Sequence, residues 1–251
     1  MHVEPRRILI GLIVLGVASA VLFLPAVFWV GTLLAPSFPV PVAAPVPPLL
    51  AEAIWARANG GRATTLQPLT PFSIGRTLTC HALAERFDTP VEREQQHDEC
   101  MTLLPAIEGI GYLSNRHMQS VGVWQDPRVP LVSIATIARV SSSWTKTQVI
   151  ETLAARGEFT KYLIGADPAA RAMFGRPPAE LSLPQAALMA AVLGNRAAEP
   201  WCDPVTAADM RRRILERMRG NQVIDDANVE AGNRAPLGLG TPPVSHPGCP
   251  P

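Results

Sequence analysis

Large aromatic side chains are scarce, at 6% of the 251 residues, and the formal net charge is only +1. Without many rings, the core must be filled by Ala, Leu, Ile, Val and Met, a composition that favours helices over strands. A near-neutral chain excludes a nucleic-acid partner that relies on a basic surface, and neither zinc-finger spacing nor a phosphate loop is present. No internal repeat is visible. The length allows one sizeable domain with flanking segments.

Charge is missing altogether from Ile8 to Ala35, directly after Arg6 and Arg7. Such a run exceeds the roughly 20 residues needed to cross a hydrocarbon core, and a charge inside it would cost several kcal/mol. It reads as an uncleaved anchor spanning residues 1–35, with Pro25 tolerated inside it and Trp29 near its outer end. A cleavable signal peptide ending at Ala18-Ser19-Ala20 is the rival. The apolar run continues through Leu34 without a polar break, which favours the anchor. Arg6 and Arg7 would then stay in the cytoplasm, with everything after Pro36 outside.

Six prolines fall between Pro36 and Pro48. They predict an extended, semi-rigid linker over 36–48 that would hold a domain off the membrane. A mainly α domain follows over 49–232. Leu49–Ala58 reads as a helix with Leu50, Ile54 and Trp55 on one face, stopped at Asn59-Gly60-Gly61. Ser73–Phe87 reads as another, burying Ile74, Leu78, Leu83 and Phe87. Polar Asp88–Glu99 leads into an apolar helical part at Met101–Leu113. Val132–Val140 suits a strand or a buried helix, and its helical neighbours favour helix. After Gly220 comes a short last helix to Gly232. Residues 233–251, rich in Pro and Gly, predict a flexible tail.

Trp144–Met218 carries the clearest local signals. Thr145 with Gln148 and Ser182 with Gln185 have the capping-box form, and Thr206 with Asp209 has it loosely. Asp167-Pro168 is a further helix start. Gly157, Gly175, Gly194 and Gly220 stand where left-handed helix stops belong.

This stretch is also the one that resembles a known family. Thr145-Lys146-Thr147-Gln148-Val149-Ile150 leads to Ala169-Ala170-Arg171-Ala172-Met173-Phe174-Gly175-Arg176. Glu180-Leu181-Ser182-Leu183-Pro184-Gln185-Ala186-Ala187-Leu188-Met189-Ala190 follows, then Asp203-Pro204 and Arg211-Arg212-Arg213-Ile214-Leu215-Glu216-Arg217-Met218. In order and spacing these segments resemble the second half of the peptidoglycan glycosyltransferase domain of family 51, found in penicillin-binding proteins and monofunctional transglycosylases. The resemblance implies a lysozyme-like helical domain behind a transmembrane helix, in a bacterial inner membrane, with the main domain periplasmic. It implies contact with the membrane and with lipid-linked peptidoglycan precursor, while the residues themselves point to no cofactor and no metal.

The first half departs from that family. The lead-in to its first catalytic Glu is matched at Val46-Pro47-Pro48-Leu49-Leu50, which places the Glu-Asp pair on Ala58-Asn59. The Gly-Gly-Ser-Thr-Ile-Thr-Gln-Gln motif has no counterpart, and counting back from Lys146 puts the second Glu near Ile134. Glycan transfer from a lipid diphosphate needs a base for the attacking hydroxyl and cations or a metal for the leaving group, and a base alone is worth roughly 10²–10⁴-fold. The departures therefore imply impaired or lost catalysis. The alternative is a non-catalytic membrane scaffold for cell-wall synthesis proteins.

Glu108, an acid within an apolar run, is the one weak candidate for a replacement base. Glu52 and Glu85 occupy ordinary amphipathic positions. Four cysteines allow three pairings, of which Cys80–Cys100 is preferred because it would join neighbouring helices. Cys80, His81, His97 and Cys100 offer a poorer metal set, since adjacent ligands suit a helix badly. His117 and His246 stand alone. Arg211, Arg212, Arg213, Arg217 and Arg219 form a basic helix end, suited to dipole complementation or to an anionic contact.

Overall fold

The computed structural model describes residues 22–23, 25–26, 29–60, 65–84, 100, 107–123, 125–160, 163–195, 199–242 and 249. Most of the expected anchor, the polar stretch 88–99 with His97, Glu85, Met101–Ala106 and His246 lie outside the described residues. Among the described residues no helix is long and apolar enough to cross a membrane.

The chain is mainly helical. Its elements are α1 (Pro48–Asn59), α2 (Pro71–Ala84), α3 (Ile107–Ser120), α4 (Val129–Ser143), α5 (Lys146–Arg156), β1 (Glu158–Thr160), β2 (Leu163–Ile164), α6 (Ala166–Phe174), a single 3₁₀ turn (Pro178–Glu180), α7 (Leu183–Val192), α8 (Pro204–Gly220) and α9 (Asp226–Arg234). The ambiguous Val132–Val140 segment is the middle of α4. The antiparallel pair of β1 and β2 carries no signal in the sequence, since two or three residues are too few to show a period.

Helix α7 is the centre. Every residue from Ala186 to Leu193 is buried, as befits a helix that is apolar all round. Helices α8 and α1 pack against it most extensively, and α1 also meets α3, α5 and α8. Trp55 and Phe159 are the largest fully buried side chains. Alanines dominate the α7 faces, so the helices approach closely and little room is left for large rings.

Local signals act as expected at some ends and not at others. Gln148 N–H donates to Thr145 Oγ1 (3.2 Å) while Thr145 N–H donates to Gln148 Oε1 (2.8 Å). Ser182 N–H donates to Gln185 Oε1 at 3.0 Å. Helix α8 instead starts upstream of Thr206, at Asp203, whose carboxylate accepts from Thr206 N–H (2.9 Å). Asp203 is followed by Pro204, and that pair outcompetes the looser box. Helix α6 begins after Gly165, which leaves Asp167 in the first turn, paired with Arg171 (3.0 Å). Gly175 and Gly194 are left-handed. Gly157 is extended, and its lack of a side chain answers to packing: a Cβ there would lie 2.3 Å from Leu153 O and from Leu193 Cδ1. Gly220 stays helical, and the left-handed residue is Gln222.

Three expectations change. Leu83, assigned to a buried face, is 49% exposed, and Phe72 at the other end of α2 is 74% exposed. The Pro-rich segment is extended but lies along the body. Val42 N–H donates to Thr152 Oγ1 (3.0 Å), the Arg139 guanidinium stands 5.3 Å from the Phe38 ring centroid, and His117 Nε2 lies 3.1 Å from Ser37 Oγ. The tail is tied down as far as Gly240. Gly240 N–H donates to Met173 O (2.6 Å), and its carbonyl accepts from Trp201 Nε1 (2.9 Å). Leu237 and Leu239 pack against the core, and Cys249 is disulfide-bonded to Cys202. A composition poor in apolar residues cannot order itself. This tail is ordered by the body's donors and by buried Arg211, which reaches Pro236 O and Asn233 O at 3.1 Å each.

Candidate functional site

A cavity of about 350 Å³ opens between the end of α1, the start of α3 and the turn after α7. Its walls include Arg57, Ala58, Glu108, Tyr112, Asn115 and Gly194. Close packing forms its floor. Gly109 sits on Ala58 so tightly that a Cβ at 109 would fall 2.5 Å from the Ala58 Cβ. Gly194, at φ +73°, brings the turn against the Tyr112 ring, where a Cβ would meet ring carbons at 2.9–3.0 Å. The Tyr112 hydroxyl accepts from Glu158 N–H (2.8 Å), and Glu158 O accepts from Gly194 N–H (2.7 Å). The Glu158 carboxylate, only 10% exposed, pairs with Arg116 at 2.6 Å. These bonds fix the far wall.

Charge is concentrated at the mouth. Glu108 stands in the first turn of α3, where a carboxylate complements the helix dipole. Arg57 ends α1 and pairs with Glu108 through Nη1. Arg217, from α8, grips both Glu108 oxygens, at 3.2 and 3.3 Å, and reaches the Arg57 carbonyl at 3.4 Å. Burial, and then the neighbouring Arg217 cation, lower the Arg57 pKa from its ordinary value. The one carboxylate among the described residues that line the cavity therefore has both oxygens engaged by guanidinium N–H groups.

The other candidates are placed elsewhere. Ala58, where the resemblance puts the first catalytic Glu, presents a methyl group to the cavity wall. Ile134 lies on α4 and does not line the cavity. Glu52 accepts from Lys146 Nζ at 3.0 and 3.2 Å, and that ammonium also stands 5.3 Å from the Trp55 ring centroid. Cys80 and Cys100 are bonded to each other, with their Cα atoms 5.5 Å apart. Both sulfurs are thereby consumed, so the Cys80, His81, His97 and Cys100 set is not a metal site. Among the described residues no group of three or more His, Cys, Asp and Glu is arranged to hold a metal. Of the basic helix end, Arg212 and Arg213 pair with Asp209 and Arg219 pairs with Asp226. Only Arg217 turns to the cavity mouth.

Reading the sequence did not find Arg57, and it left Arg217 within a basic run. They meet Glu108 across separations of 51 and 109 residues. No local pattern encodes such a meeting. The one available signal was that both ends of the constellation fall at helix termini.

Residues 131–219 match the family described as Transglycosylase. The biosynthetic peptidoglycan transglycosylase of Rhodospirillum centenum is 33% identical over 108 residues, covering 42% of this chain and 45% of that protein. The protein of the same description from Yersinia pseudotuberculosis is 33% identical over 92 residues, covering 36% and 38%. The chain thus spans less than half the length of the curated relatives it matches. The match begins at α4 and ends with α8, so it takes in Arg217 but neither Arg57 nor Glu108. Residues 131–219 are thus similar to the Transglycosylase family, and part of the chain is similar to two biosynthetic peptidoglycan transglycosylases.

Proposed function

We propose that this is a membrane-anchored, peptidoglycan glycosyltransferase-like protein that binds lipid-linked disaccharide-peptide in its cavity and no longer polymerises it. The observation that carries this reading is the state of the cavity's carboxylate. Glu108 is held by Arg57 and Arg217, and the residue expected to supply the first catalytic carboxylate is Ala58. A general base needs a free lone pair within hydrogen-bond reach of the hydroxyl it deprotonates. A carboxylate gripped by two guanidiniums must give up those bonds to take a proton, so it serves poorly as a base. The uncharged run from Ile8 to Ala35 supports the anchor. Two disulfides support an oxidising, extracytoplasmic setting.

Incubation of the purified full chain with lipid-linked precursor tests the reading, with product glycan and bound precursor measured separately. Binding without polymer is the expected result. Polymer that disappears in Glu108→Gln would make Glu108 a working base and overturn the loss of catalysis. Absence of both polymer and binding would favour a scaffold for cell-wall synthesis proteins instead.

A further inference from the structure

We infer that the Cys202–Cys249 disulfide is the latch of a redox-sensitive strap: a dithiol reductant opens it and frees the C-terminal segment from the body, and reoxidation closes it again. The two disulfides differ in access. Cys100 is fully buried, whereas Cys249 is exposed and Cys202 half-buried. Exchange needs a thiolate to reach a sulfur, so the exposed bridge reacts first. The reductant's first thiolate attacks Cys249 Sγ, and Cys202 Sγ leaves as a thiolate that takes up a proton. The reductant's second thiolate then attacks the mixed disulfide and releases Cys249. Two electrons pass: one disulfide opens in the protein and one forms in the reductant.

The contacts beneath the strap are ones that water can replace. Asn233 O and Pro236 O accept from Arg211, Gly240 N–H donates to Met173 O, and Gly240 O accepts from Trp201 Nε1. Leu237 and Leu239 supply apolar contact, and both are only partly buried. Arg211 is 3% exposed, and its Nε has no hydrogen-bond partner among the described residues. A guanidinium held so incompletely regains hydration when the strap lifts, which offsets the bonds that are lost. The segment itself is too poor in apolar residues to hold its own place. The covalent link keeps its contacts at high effective concentration. Trp201 stands next to Cys202, so the latch and the Trp201–Gly240 bond act at one point on the body. Helix α7 lies outside the loop closed between 202 and 249 and packs on α1 as well as on α8, so opening the latch leaves the core closed.

Limited treatment of the full chain with dithiothreitol, followed by alkylation and peptide mass mapping, tests the latch. Cys202 and Cys249 are expected to be labelled about tenfold faster than Cys80 and Cys100. Hydrogen exchange tests the strap. The Gly240 amide should exchange about tenfold faster in the reduced chain, while amides in α7 keep their protection. Cys249→Ser should show the same increase without any reductant, and reoxidation of the unaltered chain should reverse it. Faster labelling of Cys80 and Cys100 overturns the inference. So does a Gly240 amide that stays protected after reduction, because hydrogen bonds alone would then hold the strap. Loss of protection throughout α7, in the reduced chain or in Cys249→Ser, overturns it too, since the bridge would then be a staple of the core and not a latch.

Discussion

The stretch that matches the Transglycosylase family, α4 through α8, and the stretch before it, α1 through α3, divide the molecule's work unevenly. The first holds α7, the fully buried centre, together with the capped ends of α5 and α8. The second holds Arg57, Ala58, Gly109 and Glu108, which shape and charge the cavity. The matched residues therefore supply the buried centre and Arg217, while Arg57, Ala58 and Glu108 lie outside them. Resemblance in a core is good evidence of shared architecture and weaker evidence of shared reaction, because function sits in the site and not in the fold.

The sharpest challenge to this contrast is a pair of truncations. Leu188→Ala in α7 should cost about 2–5 kcal/mol of stability, whereas Phe72→Ala on exposed α2 should stay within about 0.5 kcal/mol. Comparable losses in chemical denaturation would mean that the two stretches share one core equally. Next in size is Gly109→Ala, which forces a methyl group against Ala58 and should cost about 1–3 kcal/mol. If the cavity is the ligand site, the same change should lower precursor binding more than Leu188→Ala does under conditions where both remain folded. Smaller still, Thr145→Ala removes the hydroxyl half of the α5 cap, an expected loss of about 1 kcal/mol visible as a drop in Tm with precursor binding unchanged.

The smallest effect is a pH dependence. Hydrogen bonds from Arg128 hold Asp126 down at about 2, and Asp203 is lowered by its bonds from Thr206. A carboxylate whose folded pKa lies below its unfolded value of about 3.9 stabilises the fold above that value and loses the contribution as pH falls through the folded pKa. Stability should thus be flat in this respect above about pH 5 and decline between about pH 4 and 2. Asp126→Asn and Asp203→Asn should each flatten part of that decline in acid-unfolding curves.

How much of this was legible depended on the range of each interaction. The start of α5 was readable because Thr145 and Gln148 satisfy one another within three residues. The stop at Gly175 was readable because a left-handed φ favours glycine. The end at Gly157 was misread in kind, since its constraint is contact with Leu193, thirty-six residues on. The tail was misread because its order comes from Met173, Trp201 and Arg211, not from its own composition. Within the site, Glu108 could be singled out as an acid in an apolar run, but its two partners could not.

The sequence by itself determined the helical class, the caps at Thr145 and Ser182 and the resemblance of the second half to transglycosylases. Those follow from composition, from period and from bonds spanning three or four residues. Only the tertiary structure decided that Arg57 and Arg217 close on Glu108, that Ala58 lies on the cavity wall and that the segments at 37–42 and 233–240 are strapped to the body. Each of these depends on which helix ends meet in space. That meeting is set by close packing around α7, where small side chains fix the distances, and no local pattern along the chain records it.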